Sequence, residues 1–358
     1  MLTTADQGVR RLLPYLFLAC CGAALVLTFV RLIEFDAPLT RYVRSLNEHH
    51  IDYLHNPWLR ELSDRGNQVG KGESLLVVSA ALLTAGYLLR QSPLKRAGWE
   101  TLIAHLVAGA LNTLIKHLVG RGRPKFMHGS GSDFVPFGGA GWDSFPSGHA
   151  MATFAVATVL AVRYPKVRWL MIGVALAVSA SRLFRGSHFL TDIVAGAVLG
   201  VLIGAVVAHP WSDRRAAFTS ALMTVTPPVA GLLAVMSVIV QAPGQTGAAM
   251  LLSQAGFLMA LAAVVVYVLS RVRPLLLPPP LTKTAALGLM GLGIAMCSGS
   301  VWVTAVIVLV WLAHWLRPEP RAHRIDAPDA WPSDAAFGLA VLLTLLTMIE
   351  LRGALAAG

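Results

Sequence analysis

Charge is what this chain has least of. Only 13% of its 358 residues are Asp, Glu, Lys or Arg, against about 25% in an ordinary water-soluble domain. With a hydrophobic content of 56% and a mean hydropathy of +0.65, that scarcity excludes a soluble globular domain. It excludes intrinsic disorder as well, which needs low hydrophobicity and high charge. Cysteine is scarce too. Cys20, Cys21 and Cys297 sit in apolar runs without zinc-ligand spacing, and an odd number builds no disulfide framework. They read as small apolar filler; a lipidated Cys20 is the alternative, with a poor processing site before it. Acidic residues are few, 18 against 29 Lys and Arg, for a net charge of +11. Such an excess can mark a nucleic-acid binder. Here the cations mostly fall between apolar runs, where the positive-inside rule puts them, so no nucleic-acid partner is expected.

What the chain has instead is a succession of apolar runs about as long as a bilayer is thick. The expected fold is all-α, a polytopic membrane protein. The first run, 12–33, follows Arg10 and Arg11. It exceeds the roughly 7–15 apolar residues of a signal peptide, so it is read as an uncleaved span with a cytoplasmic N-terminus. Segment 34–73 is polar and mixed, amphipathic around 39–46, and is expected to connect externally, partly along the membrane surface. Runs 74–89, 98–119, 150–162, 169–183 and 189–208 follow. The basic clusters Arg90, Lys95 and Arg96, then Lys166 and Arg168, then Arg214 and Arg215 all face the cytoplasm in this topology.

Beyond them lie runs 216–240, 247–269, 284–316 and 335–349. Run 284–316 is long for one span, and Cys297-Ser298-Gly299-Ser300 is expected to fold it into a hairpin. That folding also keeps Arg317, Arg321 and Arg324 inside. Ten or eleven spans result, in two domains: a six-span core over 1–212 and an additional bundle of four or five transmembrane helices over 213–358. Pro227 and Pro228 are expected to kink the seventh span. Gly288, Gly291 and Gly293 would let helices pack closely. The second bundle is expected to act as a scaffold, in lipid recognition or as a surface for homo-oligomers, rather than in transport.

Polar residues crowd three places at the ends of runs, all on the outer side. The first is Lys116 to Pro124, the second Phe145 to His149, the third Ser181 to Asp192. Lys116, Arg123 and Arg182 supply cationic donors, and guanidinium forks match phosphate oxygens. Ser147 and the Gly148 N–H precede an apolar helix, whose N-terminus attracts anions. His188 and Asp192, four apart, share a helix face; a carboxylate on one ring nitrogen leaves the other free to attack. His149 stands where it could protonate a leaving oxygen. Together they describe phosphoryl transfer through a phosphohistidine, with the cations stabilising charge on the phosphoryl oxygens.

Taken singly, each feature has an ordinary reading. Lys116 fits a snorkelling interface residue, Ser147-Gly148 a plain helix start, and His188 with Asp192 a structural pair. Arg121 and Lys125 fit headgroup attraction or a solvated loop, and Arg185 fits support of the site or simple exposure. Glu100, His105 and His117 fit helix packing. Trp99, Trp142, Trp169 and Trp211 fit an aromatic belt.

The spacing Lys, six residues, Arg-Pro is met by Lys116, Arg123 and Pro124. Pro-Ser-Gly-His is met by Pro146 to His149, and Ser-Arg, five residues, His, three residues, Asp by Ser181, Arg182, His188 and Asp192. In these motifs the chain resembles the type 2 phosphatidic acid phosphatase superfamily, which also contains vanadium haloperoxidases. The resemblance covers roughly 10–210 and implies a six-helix membrane bundle with its site at the outer surface. It implies that Lys116, Arg123, Ser147, Gly148 and Arg182 bind phosphate. It further implies His188 as nucleophile, Asp192 as its partner and His149 as the acid. No metal or cofactor is implied, and vanadate would bind as a transition-state mimic. The substrate is expected to be a lipid phosphomonoester or pyrophosphate reached from the bilayer. Phosphatidic acid, phosphatidylglycerophosphate, undecaprenyl pyrophosphate and the lipid A phosphates all fit. A lipid-to-lipid phosphotransferase using the same residues is the alternative, and a soluble-type haloperoxidase is disfavoured. The few short loops suggest a bacterial inner membrane, with the site on the periplasmic side.

Overall fold

A computed structural model describes residues 4–45, 57–126, 133–240, 247–272 and 279–316. Among them the chain forms eleven α-helices: α1 (Thr4–Ser45), α2 (Pro57–Val69), α3 (Gly72–Leu88), α4 (Ser92–Val119), α5 (Gly148–Arg163), α6 (Arg168–Phe184), α7 (Leu190–Val207), α8 (Arg214–Val240), α9 (Gly247–Val272), α10 (Pro279–Cys297) and α11 (Val301–Leu316). Five helical stretches among the described residues are long and apolar enough to cross a membrane. A sixth arises if α3 and the end of α2, bent by 54° at a short break, make one span. The chain is an integral membrane protein of the all-α class.

One expectation is corrected in the first fifty residues. The stretch at 39–46 does not leave the first span to lie on the surface; α1 continues unbroken to Ser45. Leu32, Phe35, Asp36, Thr40 and Val43 are all buried. They recur at helical spacing, so one face of the extension is covered. Asp36 can stay in the helix because its carboxylate finds a buried cation, described below.

The chain divides into two compact units, 32–225 and 1–31 with 226–358. In the first, α5 packs against α4, α6 and α7. Its core is built from Leu75, Ala104, Ala108, Met151, Ala152, Ala155, Val156, Val159 and Ala208. Most are small, which lets helix backbones come close without a large apolar side chain between them. The contact of α5 with α7 is the closest kind. A Cβ on Gly196, Gly200 or Gly204 would fall 2.5, 2.4 or 2.5 Å from the carbonyl oxygens of Ser147, Met151 and Ala155. Both sets advance in the same direction, so α5 and α7 run parallel and begin at the same end. The unit's site lies at that end.

In the second unit α9 and α10 meet through Gly256 and Gly293: a Cβ on either would lie within 2.7 Å of the other's carbonyl oxygen. Gly288 faces the Trp311 indole, whereas Gly291 faces open space and takes no part in the contact. The hairpin expected within 284–316 is present. α10 ends at Cys297, Gly299 adopts φ +67°, and α11 begins at Val301. α8 carries Pro227 and Pro228 in its interior. Run 335–349, with Arg317, Arg321, Arg324 and Glu350, lies outside the described residues.

Candidate active site

The site begins where α4 ends. Gly120 takes the left-handed conformation at φ +59°, and its N–H caps the Lys116 carbonyl at 2.9 Å, a helix stop that favours glycine. The chain that follows is clamped on two sides. Val135 N–H donates to the Gly120 carbonyl at 2.7 Å, Arg123 N–H to Gly141 at 2.9 Å, and Ser144 N–H to Arg121 at 2.9 Å. Lys116 and Arg123 are thereby presented from a fixed backbone, with side chains 17% and 21% exposed.

Arg121 is no solvated loop residue: it is the bulkiest fully buried side chain described. It donates through Nη1 to Asp192 Oδ1 and to Thr191 Oγ1, each at 2.7 Å, and through Nη2 to Asp36 Oδ2 at 2.8 Å. The Phe189 ring covers it, 4.2 Å from centroid to guanidinium carbon. A cation held between two carboxylates satisfies charges that would be costly alone.

At the start of α5, the Ser147 N–H donates to the Asp192 carbonyl at 2.9 Å. Asn112 Nδ2 donates to the Pro146 carbonyl at 3.0 Å. Gly148 leaves no room for a side chain, since a Cβ would sit 2.9 Å from Asn112 Oδ1. Ser147 occupies the cap position, yet its hydroxyl makes no capping bond. Ser147 Oγ, His149 Nε2 and Arg182 Nε are all buried without a hydrogen-bond partner. Buried polar atoms are ordinarily satisfied; six other described side-chain atoms share this state, Arg121 Nε among them, and these three stand out because their residues adjoin His188 and Asp192.

The last turn of α6 carries Arg182, whose Nη1 donates to Asn67 Oδ1 of α2; nearby, Arg185 pairs with Asp64 of the same helix. After the turn at Gly186, φ +60°, His188 is 3% exposed. Its Nδ1 donates to the Ser144 carbonyl at 2.8 Å and lies 3.7 Å from Asp192 Oδ2. A backbone carbonyl thus holds the proton on Nδ1, and the Nε2 lone pair is free. Asp192 stands beside the ring, but its carboxylate oxygens accept their hydrogen bonds from other groups. It accepts from Arg121, from Ser144 Oγ at 2.5 Å, and from the Phe189 N–H at 2.9 Å.

The charges are mutually felt. Lys116 interacts electrostatically with Asp143, Arg123, Asp192 and Arg182, and His149 with Arg182, His188 and Lys116. All eight residues singled out in the sequence therefore come together at one end of the bundle. Burial lowers the His188 imidazole below its ordinary value, Asp192 opposes that, and Arg182 and Lys116 add to it. A neutral ring with a free Nε2 is a nucleophile. Asp143 is held down to about 2, first by its bonds from Arg123, and stays ionised. Among the described residues no group of three or more His, Cys, Asp or Glu side chains could hold a metal.

A cavity of about 200 Å³ opens beside Arg123, lined by that residue and by Phe126, Asp133, Gly141, Trp142 and Phe189 among others. Trp142, read as part of an aromatic belt, is a wall of this cavity. Trp99, Trp169 and Trp211 are 49%, 79% and 83% exposed. His117 bonds its own helix at the Thr113 carbonyl, 2.8 Å, and Glu100 accepts from Arg96 and Arg163; both make the helix contacts expected of them. Sequence reasoning missed Asp36, Asn67, Asp64 and Ser144 altogether. Asp36 alone left a signal, an ionisable residue next to an apolar run.

Residues 97–216 match the PAP2 superfamily. Over 210 residues the chain is 26% identical to the lipid A 1-phosphatase of Rhizobium johnstonii, covering 54% of this chain and 81% of that protein. It is 29% identical over 164 residues to phosphatidylglycerophosphatase B of Bacillus subtilis, covering 42% of this chain and 74% of that one. Among solved structures, a transmembrane PAP2-type phosphatidylglycerolphosphate phosphatase from Bacillus subtilis superimposes with a TM-score of 0.41 at 22% identity. That match covers 54% of this chain and 94% of the other.

Proposed function

Residues 97–216 are a PAP2 superfamily domain, and from that premise we propose that this integral membrane protein is a lipid phosphatase. It removes a terminal phosphate from a lipid monoester or pyrophosphate through a phosphohistidine. The observation that carries the reading is the convergence of Ser147 Oγ, His149 Nε2 and Arg182 Nε, buried and unpartnered, beside a His188 whose Nδ1 is committed to a carbonyl. Two relatives are named for lipid phosphates, lipid A 1-phosphate and phosphatidylglycerophosphate, and these are the first substrates to offer.

Lys116, Arg123, Arg182, Ser147 Oγ and the Gly148 N–H hold the phosphoryl oxygens. His188 Nε2 attacks phosphorus, the N–P bond forms and the ester P–O bond breaks. His149 gives its proton to the departing oxygen; the negative charge of the bound phosphate helps keep that proton on a ring surrounded by cations. Water then attacks phosphorus, the N–P bond breaks, and His149 takes the proton from water. The cations lower the barrier by matching charge on the oxygens in the transition state. Asp192, fixed by Arg121 and Ser144, supports the positive charge that develops on His188. The site opens to the periplasmic face of a bacterial inner membrane, where a headgroup reaches it while the tails stay in lipid.

The test is phosphate release by the purified protein from a panel of lipid phosphates and pyrophosphates. His188→Ala is expected to lower turnover by about 10⁴-fold or more; undiminished release from that variant overturns the mechanism. Label appearing on an acceptor lipid instead of in free phosphate would assign the same site to phosphotransfer.

A further inference from the structure

Arg123, which lines the cavity, and Lys116 are both already engaged. Arg123 donates through Nε and Nη2 to both oxygens of Asp143, at 2.7 and 2.6 Å, and Lys116 Nζ lies 3.8 Å from Asp143 Oδ2. This guanidinium edge is the one that would take two oxygens of a phosphate, and a carboxylate imitates that pair of oxygens closely. Asp143 is therefore in the place of the ligand. Its side chain is 42% exposed, while the backbone on either side is pinned at Gly141 to Arg123 and at Ser144 to Arg121. The carboxylate has room to swing away without moving the loop.

We propose that Asp143 is a resident anion that selects the substrate by charge: it yields Arg123 and Lys116 to a terminal phosphate dianion and keeps them from a phosphodiester. The proposal rests on the phosphatase reading. A diester carries one negative charge, and so does the carboxylate. Exchanging one for the other gains no Coulomb energy and gives up a tethered partner. A terminal phosphate brings a second charge to a site where Lys116, Arg123 and Arg182 converge, and the exchange becomes favourable. The discrimination matters at this location, because the bilayer beside the site is composed largely of diester headgroups. Asp143 remains ionised throughout the working pH range, since its carboxyl is held down to about 2.

The experiment uses the full chain in detergent, as wild type, Asp143→Asn and Asp143→Glu. Each is titrated calorimetrically with inorganic phosphate and with dimethyl phosphate, and phosphate release is followed alongside. Wild type is expected to favour phosphate strongly. Asp143→Asn should tighten both ligands, dimethyl phosphate more, so that the preference falls by about fivefold, the scale of one half-exposed ion pair. Asp143→Glu should restore it. If Asp143→Asn weakens both ligands, or leaves the preference unchanged, Asp143 only orients Arg123 and the proposal is overturned. A fallen preference in a protein that dephosphorylates no lipid keeps the filter and defeats the phosphatase reading. Robust release with an unmoved preference does the reverse.

Discussion

The two units solve the same packing problem with different materials. In unit 1–31 with 226–358, the buried polar side chains described are Thr28, Thr226, Ser237, Ser298 and Ser300. Thr28 and Ser298 bond carbonyls of their own helix, those of Ala24 and Ala295. Unit 32–225 buries Asp36, Glu100, Arg121, Arg182, His188 and Asp192 besides its hydroxyls. Both use glycine for close helix contact, Gly256 with Gly293 in one and Gly196, Gly200 and Gly204 in the other. What differs is the buried charge. Apolar helices need only small residues to associate; ionised groups among them are costly and are kept where they act. Among the described residues the glycines build both units, whereas buried charge gathers in one, where Glu100 ties α4 to Arg163 of α5 and the others cluster at the candidate site.

The comparison can be broken most forcefully at Arg121. Arg121→Met leaves Asp36 and Asp192 facing each other without a cation. It should cost about 3–5 kcal/mol of stability, read by thermal unfolding in detergent, and abolish turnover with it. Adding Asp36→Asn should recover part of the stability; a loss no greater than that of a surface substitution would show that Arg121 does not hold the two carboxylates together. Next in size is Gly293→Ala in the other unit. Its new Cβ meets Ala260 N at 2.6 Å, so α9 and α10 must part, at about 1–3 kcal/mol. Phosphate release per folded molecule should be unchanged; a parallel fall in kcat would tie the second unit to the chemistry.

The smallest effect is in the pH profile. The His188 imidazole lies below the ordinary value of about 6.5, chiefly through burial, so the neutral ring persists as pH falls past that value. The acid limb of kcat/KM, which reports the free enzyme, should therefore lie below pH 6.5 for a substrate of fixed charge. A limb above it would mean that Asp192 outweighs burial at His188.

The residues proposed for chemical roles were legible as a group because fixed spacing within a motif survives any fold: Lys116 with Arg123, Ser147 with His149, Arg182 with His188 and Asp192. The hairpin at Cys297 to Ser300 was legible from length, because a run of that size exceeds one bilayer crossing. Arg121 was misread and Asp36 missed for one reason. A charge in a sequence looks solvated until its partner is known, and these two are 85 positions apart. The helix extension through Asp36 was hidden by the same uncertainty, since a polar stretch beside a span reads as surface. Gly288 and Gly293 were rightly marked for close packing, while Gly291 shows that a glycine permits contact without requiring it.

The amino-acid sequence by itself determined that the chain lives in a membrane, where its long apolar runs fall, and which residue types gather at the ends of three of them. Those properties follow from hydropathy and from spacing along a helix, both local. Only the tertiary structure decided that the Ser144 carbonyl rather than Asp192 accepts the hydrogen bond from His188 Nδ1, that Arg121 joins α1 to α7, and that Asp143 pairs with Arg123 and Lys116. Each is a choice among partners distant in the chain. It is made by the parallel α5 and α7 backbones, whose glycines let Ser147 and Asp192 come within one hydrogen bond.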